Sequence, residues 1–207
     1  MKHKTAFKSI VLSIALSILL ITTAVFFARH HNSISSINTD FLQQKITEPE
    51  GPSPQIVQSA RNQIGKTLRY DPAYTKLKYP MGDVPMEKGV CTDVVIRALR
   101  DQNIDLQELV YQDMSRNFSV YPKRWGLKQP DTNIDHRRVP NLMTYFTRQG
   151  WAVQDANYQA GDIVTWELKG NRPHIGIASD RKIDDRPLII HNIGSGTRED
   201  DVLYRYT

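Results

Sequence analysis

The chain has 207 residues, with 27 lysines and arginines, 22 aspartates and glutamates, a formal net charge of +5 and a single cysteine. This length allows one domain of ordinary size with a real hydrophobic core. One cysteine excludes an intramolecular disulfide framework and a cysteine-rich zinc module, because both need several sulfurs. The positive balance makes nucleic acid or an anionic membrane a candidate partner until the positions of the charges are considered.

The amino terminus, residues 1–28, is typical of a signal anchor or a signal peptide. Lys2, Lys4 and Lys8 precede an uncharged, apolar stretch over 9–28 that is long enough to span a bilayer. A cleavable signal peptide has the same order of charged and apolar residues, but no clean cleavage site closes the run, which favours an uncleaved anchor. We therefore expect an exported protein, periplasmic or extracytoplasmic, tethered to the inner membrane by residues 9–28.

Residues 29–54 predict a polar linker, because they contain few apolar side chains and several helix breakers. The folded domain is then expected over residues 55–207. Within that range basic and acidic residues nearly balance, and the basic pairs are interspersed with aspartates. We therefore expect no nucleic-acid partner.

Apolar residues at helical spacing predict four helices in the first part of the domain. These helices are expected over 54–64, from Cys91 onward, over 106–114 and over 140–149. Asp105 is the expected cap of the third helix and Gly150 the stop of the fourth. The segments 66–89 and 118–136 are expected to be irregular.

After Gly150 the sequence pattern changes to that of short strands. These strands are expected over 163–166, 175–178, 188–191 and 202–204. Helices followed by a strand meander predict an α+β fold, with the amino-terminal helices packed on a small antiparallel sheet.

Cys91 is expected at the start of the second helix. At that position the helix dipole and unpaired backbone N–H groups favour the thiolate, and the same N–H groups can hold an oxyanion. The competing interpretation is an inert core cysteine, because Val90, Val94 and Val95 are its neighbours.

Two histidines supply what a cysteine nucleophile needs, namely a base and a group that orients the base. His174 opens one predicted strand and His191 closes the next. If these strands are antiparallel neighbours, the two side chains come within reach of each other. Asn192 is the alternative third residue, but strand alternation lets only one of His191 and Asn192 face the site.

The ordered motifs resemble the NlpC and CHAP group of papain-like cysteine hydrolases, bacterial enzymes that cut peptide bonds in peptidoglycan. The motifs are the helix-start cysteine, Gly161-Asp162-Ile163-Val164, His174-Ile175-Gly176-Ile177 and the strand end His191-Asn192. Residues 89–97 and 191–194 resemble more closely a YijF-like family of exported bacterial proteins of unassigned function.

The resemblance implies a papain-like, NlpC/CHAP-type fold and an exported cysteine amidase or endopeptidase that hydrolyses an amide bond in peptidoglycan stem peptides, without a cofactor. It makes Cys91 the nucleophile, His174 the general base and His191 the orienting residue. Tyr70 would match a tyrosine near the oxyanion.

The sequence departs from that group immediately around Cys91. NlpC-type enzymes usually carry Asp-Cys-Ser-Gly, whereas this chain has Val-Cys-Thr-Asp over residues 90–93, so the acidic group before the cysteine is missing. Asp93 is a candidate to replace it in substrate binding, and a salt bridge to Arg97 is the structural alternative. Arg124 and Arg137 are candidates for binding stem-peptide carboxylates.

Two further functions stay open. A catalytically inactive cell-wall-binding module of the same fold would explain the departures near Cys91. A zinc-dependent hydrolase would use Cys91, His174 and His191 as ligands, but the spacing is not that of usual zinc sites, so no metal is expected.

Overall fold

The computed structural model describes residues 46–153 and 157–206. The predicted anchor or signal segment and most of the predicted linker lie outside these ranges. Within them, no helix combines the length and apolar character that crossing a membrane requires.

Four helices precede the sheet in the described ranges. They are α1 (Gln55–Arg61), α2 (Cys91–Arg100), α3 (Leu106–Asn117) and α4 (Val139–Arg148). Helix α2 begins at Cys91 as predicted, and the Asp105 side chain caps α3 by accepting the backbone N–H of Gln107. Helix α1 ends earlier than predicted, because turns follow it up to Gly65, which has a φ of 75°.

The segments expected to be irregular contain short regular pieces. Strands β1 (Arg69–Tyr70) and β2 (Lys88–Gly89) form a small parallel pair, in which Tyr70 lies opposite Gly89. Two 3-10 turns, Phe118–Val120 and Asp135–Arg137, interrupt the connection between α3 and α4. The strand pair and the second 3-10 turn lie close to the amino-terminal end of α2, as the site below shows.

The remaining strands form a four-stranded antiparallel sheet in the order β3-β4-β5-β6. They are β3 (Ile163–Leu168), β4 (Arg172–Ile183), β5 (Arg186–Asn192) and β6 (Thr197–Asp200). The sheet and the four helices confirm the predicted combination of amino-terminal helices with a small antiparallel sheet.

The prediction of a last strand over 202–204 is wrong, because the strand lies earlier, at Thr197–Asp200. Val202 and Leu203 are apolar for a different reason. They are buried against Val164 and Ile189 in a small hydrophobic cluster. The chain therefore leaves the sheet after β6 and folds back to cover one of its faces.

The sheet has a helix face and a tail face. On the helix face Ile175, Ile177 and Ile190 join the main core, which includes Val95 and Leu142. The tail face carries Ala178 and Ile189, which pack with the segment around Val202. Because neighbouring strand residues point to opposite faces, odd and even positions of β4 have different surroundings.

The end of the predicted linker is attached to the domain. Thr47 pairs with Lys182 of β4 through two backbone hydrogen bonds, of 2.8 and 3.1 Å. The adjacent Glu48 forms an ion pair with Arg181, with 2.8 Å between the charged atoms. These contacts place Thr47 and Glu48 on the domain, within the range expected to be linker.

Gly176 of β4 lies close to β5 on the tail face. A Cβ at this position would lie 2.6 Å from Ile189 Cγ2 and 3.1 Å from His191 Cβ. We therefore expect Gly176→Ala to lower the free energy of unfolding by about 1–3 kcal/mol through overpacking. Chemical denaturation measures this change.

Gly51→Ala is the matched control, because no atom lies within 4 Å of its Cβ position. Its unfolding free energy should stay within about 0.5 kcal/mol of the wild-type value. An equally small effect of Gly176→Ala would contradict the close approach of the two strands.

Candidate active site

Cys91 is the first residue of α2 and is 4% exposed. Burial raises the pKa of its thiol to about 11, although backbone N–H groups of Ile175, Thr92 and Cys91 itself favour the thiolate. The helix start therefore has the stabilising N–H groups that the sequence predicts, but desolvation outweighs them. Cys91 rests as a neutral thiol at neutral pH.

The sheet reaches Cys91 through Ile175. The pairing of β4 with β5 ends at Ile177 and Ile190, which are the last partners towards that end of β4. Beyond that point the backbone N–H of Ile175 faces the Cys91 sulfur and favours its thiolate. Cys91 thus lies where the two strands separate, next in space to the residue that follows His174.

His174 and His191 lie together, as predicted from antiparallel strands. His174 Nε2 is 2.8 Å from His191 Nδ1, and both side chains are buried. Both rings contact Tyr206, and His174 also contacts Trp166. The pair therefore lies on the tail face at the start of β4, whereas Cys91 approaches the same end of the strand from the helix side.

Asp200 at the end of β6 determines which nitrogens carry protons. Its Oδ2 is 3.2 Å from His191 Nε2, and a carboxylate can only accept there. His191 Nε2 therefore donates, which leaves His191 Nδ1 to accept from His174 Nε2. The consequence is that His174 Nδ1 carries no proton and is available as a base.

The same burial keeps His174 neutral. Desolvation first, and then the neighbouring His191, lowers the pKa of His174 to about 3. At neutral pH the ring is therefore an uncharged imidazole with the tautomer that the hydrogen bonds impose. Cys91 and His174 are therefore both uncharged at neutral pH.

Asn192, the alternative third residue, points elsewhere. Its amide Nδ2 donates to the backbone carbonyl of Gly89 at 3.0 Å. Gly89 lies two residues before Cys91, so Asn192 holds the backbone that leads into Cys91. His191 rather than Asn192 contacts His174.

Asp93 has a different task from the predicted contact with substrate. Its carboxylate accepts two hydrogen bonds from Arg137, each of 2.8 Å, and a third of 2.6 Å from the backbone N–H of Val90. The predicted pair with Arg97 is also wrong, since Arg97 forms its ion pair with Asp83. Asp93 therefore fixes the turn into α2 and is fully occupied within the protein.

Tyr70 lies beside Cys91, as the resemblance implies. Burial first, and then the neighbouring Cys91, raises the pKa of its hydroxyl to about 12. The hydroxyl is therefore protonated at neutral pH and can donate a hydrogen bond.

Tyr70 and Cys91 open into a cleft of about 170 Å³, which we call the Cys91 cleft. Its other lining residues are Pro72, Val90, Trp125, Ile134, Arg137, Arg138, Val139, Pro140 and Pro173. Arg124, the other predicted carboxylate-binding residue, is not among these lining residues.

The geometry gives no support to a zinc site. Across residues 46–153 and 157–206, no group of three or more histidine, cysteine, aspartate or glutamate side chains is arranged to hold a metal ion. In addition, His174 Nε2 and His191 Nδ1 bond to each other. These two nitrogens are therefore not free to bind a metal ion.

Sequence patterns missed Asp200 and Arg138. Asp200 was hidden because the last strand was predicted too late in the chain. Arg138 lies between the segment expected to be irregular and the predicted fourth helix, where its neighbours are set by tertiary contacts. The adjacent Arg137-Arg138 pair was a sequence signal for a cationic wall of the cleft.

Comparison with known proteins places this chain in a family. A family model described as "Domain of unknown function (DUF1287)" matches residues 57–207. The chain belongs to the DUF1287 family. It is also 50% identical over 190 residues to "Uncharacterized protein YijF" of Escherichia coli (strain K12), covering 84% of this chain and 92% of that protein. The predicted YijF-like membership is thereby confirmed.

The pKa of Cys91 can be tested directly, because a thiol reagent reports on the single cysteine of the chain. We expect alkylation to be slow at neutral pH and its rate to rise towards a midpoint at about 11. The pH profile of iodoacetamide labelling, followed by mass spectrometry, measures the midpoint. Circular dichroism at each pH verifies that the protein remains folded.

The protein unfolded in urea is the control for this profile, because its thiol should titrate at about 8.5. A folded-state midpoint below that of the unfolded chain would show that the helix start outweighs burial. Cys91→Ser gives the background labelling.

Proposed function

We propose that this DUF1287 protein is a papain-like cysteine amidase or endopeptidase with Cys91, His174 and His191 as its catalytic residues. The observation that carries the proposal is the ordered chain of hydrogen bonds from Asp200 through His191 to His174. It leaves the unprotonated Nδ1 on the histidine whose next residue contacts the Cys91 sulfur. The arrangement is that of a base held in one tautomer by a third group.

The proposed first step transfers a proton and forms one bond. His174 Nδ1 takes the proton of Cys91 as the sulfur attacks the amide carbonyl carbon. The raised pKa of Cys91 favours proton transfer in the same step as attack, over a standing thiolate. His174 then gives this proton to the departing amine, and the substrate acyl group remains on Cys91 as a thioester.

The second half of the reaction releases the acyl group. Water gives a proton to His174 Nδ1 and attacks the thioester carbonyl. The carbon–sulfur bond breaks, the carboxylic acid leaves, and the proton returns to the Cys91 sulfur. Atoms and charges balance, and no cofactor is required.

The oxyanion formed in both steps needs hydrogen-bond donors. Backbone N–H groups of Cys91 and Thr92 at the start of α2 already point at the sulfur. The Tyr70 hydroxyl is a third donor, because its raised pKa keeps it protonated. Removing one such donor typically costs a factor of about 10²–10³ in rate.

Peptidoglycan stem peptides are the proposed substrate, and the periplasmic side of the inner membrane is the proposed location. The charged-then-apolar pattern of residues 1–28 supports export and a tether. The motif order supports the peptide-cutting chemistry. Together they favour an amide bond that is accessible outside the cytoplasm.

An inactive cell-wall-binding module is the second candidate. The observation in its favour is that Cys91 and His174 are both uncharged at neutral pH, because the pKa of Cys91 is raised to about 11 and that of His174 is lowered to about 3. A module of this kind would keep the cleft and lose turnover.

Cys91→Ala separates these two functions. We expect the wild-type protein to release new fragments from purified peptidoglycan and the variant to release none, because the variant has no nucleophile. Mass spectrometry of the soluble muropeptides identifies the bond that is cut. Equal fragments from both proteins would contradict the proposed enzyme activity. Binding to peptidoglycan without release of fragments would favour the binding module.

Asp200→Asn tests the tautomer argument. An asparagine can donate to His191 Nε2, which reverses the proton order and protonates His174 Nδ1. We expect kcat to fall by about 10²–10⁴ with KM nearly unchanged, as for a residue that orients a catalytic base. Initial rates on the fragments identified above give both constants.

Asp201→Asn is the neighbouring control, because Asp201 forms its ion pair with Arg186, at 2.9 Å, outside the hydrogen-bonded chain. Its kcat should stay near the wild-type value. If both variants lost activity equally, or if Asp200→Asn changed only KM, the proposed role of Asp200 would be wrong.

A further inference from the structure

We infer that the Cys91 cleft selects substrates that carry a carboxylate close to the scissile amide, and that Arg137 and Arg138 recognise it. The inference rests on the proposed function, since it takes Cys91 as the attacking group. It names a substrate class for that site, an acidic peptide.

The charge of the cleft lining is one-sided. Two of the lining residues are arginines, and among the described residues none of the lining side chains is acidic. The rest of the wall is apolar or aromatic, which reduces the screening of charge by water. An anionic group is therefore favoured in this cleft and an amine is disfavoured.

The carboxylates that pair with these two arginines lie behind the cleft wall. Arg137 pairs with Asp93 and Arg138 with Asp135, at 2.8 and 2.9 Å. Both aspartates are buried, and neither lines the cleft. Each ion pair therefore presents its positive end to the cleft.

Arg137 has a donor without an acceptor. Its side chain is 2% exposed, and its Nη1 has no hydrogen-bond partner in the described part of the chain. Buried donors are nearly always satisfied, because an unmade hydrogen bond is costly. Of the buried unpartnered side-chain atoms in the described ranges, Arg137 Nη1 alone belongs to a residue of the Cys91 cleft. An acceptor supplied by the ligand would satisfy it.

Arg138 supplies the accessible contact. Its guanidinium lies over the Trp125 ring, 4.0 Å from the ring centroid, and its Nη1 bonds to Asp135. Within residues 46–153 and 157–206, its Nε and Nη2 form no hydrogen bond. Stacking and the ion pair hold the planar group in place, so that two donors remain for a carboxylate.

The size of the cleft limits the ligand to one short group. Its volume of about 170 Å³ is below the roughly 300–1,000 Å³ of pockets that enclose a whole small molecule. A single acidic side chain or a terminal carboxyl group is the kind of ligand that it can take, while the rest of the peptide lies outside.

Binding to Cys91→Ser tests the inference without turnover. The probes are stem peptides released from purified peptidoglycan and the same peptides after every carboxylate is converted to a carboxamide. We expect the carboxylate form to bind about 10- to 100-fold more tightly, the range typical of hydrogen bonds to charged groups. Isothermal titration calorimetry measures both affinities.

A third peptide separates the two possible sources of the carboxylate. In it only the terminal carboxyl group is converted to a carboxamide. If it binds like the unmodified peptide, the arginines recognise a side-chain carboxylate. If it binds like the fully converted peptide, they recognise the chain terminus.

Arg138→Gln in the Cys91→Ser background should lower the affinity ratio about tenfold, because it removes one of the two cationic groups and its donors. Arg137 is unsuitable for this test, since its loss leaves the buried Asp93 with only the hydrogen bond from Val90 N–H. Without Arg138, Asp135 still accepts from the backbone N–H of Asp131 and from Asn141 Nδ2. Arg148→Gln is the matched control. Arg148 also pairs with an aspartate, Asp113, but does not line the Cys91 cleft.

Equal affinity for carboxylate and carboxamide forms would overturn the inference, as would no binding of either form or an unchanged ratio in Arg138→Gln. Turnover by the protein with Cys91 intact is measured separately. Cleavage of the carboxylate and carboxamide peptides at equal rates would support the proposed hydrolase and contradict its selectivity for a carboxylate. Selective binding without any cleavage would support the carboxylate site and contradict the hydrolase.

Discussion

The candidate site depends on one buried ion pair, between Asp93 and Arg137. Asp93 accepts from both Nε and Nη2 of Arg137 and from the backbone N–H of Val90. The same carboxylate thus sets the turn that places Cys91 at the start of α2 and attaches that turn to the 3-10 segment Asp135–Arg137. Removing either partner of such a pair costs about 3–5 kcal/mol, since the other charge stays buried. The position of Cys91 and the arginine side of the cleft wall therefore depend on one contact.

The pKa values of Cys91 and His174 describe two groups that are uncharged at neutral pH. Burial keeps both the Cys91 thiol and the His174 imidazole neutral, so the helix dipole and N–H groups act on a sulfur that is still protonated. In the proposed reaction, this arrangement favours an attack that is coupled to proton transfer. The N–H groups and Tyr70 are the proposed donors for the charge on the substrate oxygen, and they need no rearrangement to act on it.

The sequence was sufficient where the structure follows local pattern. Helix spacing after Cys91 and the strand pattern around His174 and His191 predicted a helix that begins at the cysteine and two histidines that meet on adjacent strands. It was insufficient where a partner is distant in the chain. The bond between Asp93 and Arg137 spans 44 positions, and no periodicity links them. The position of Asp200 was not predicted, because the apolar residues from Val202 onward resemble a strand in the sequence. In the structure they pack against one face of the sheet.

Strand alternation explains why one short motif serves both faces of the sheet. His191 and Asn192 are consecutive, so their side chains leave β5 on opposite sides. His191 reaches the tail face and bonds to His174 and Asp200, while Asn192 holds the carbonyl of Gly89 beside the approach to Cys91. His174 and the backbone before Cys91 are thus held by side chains from a single strand end, and an insertion of one residue there would exchange the two side chains and disconnect both.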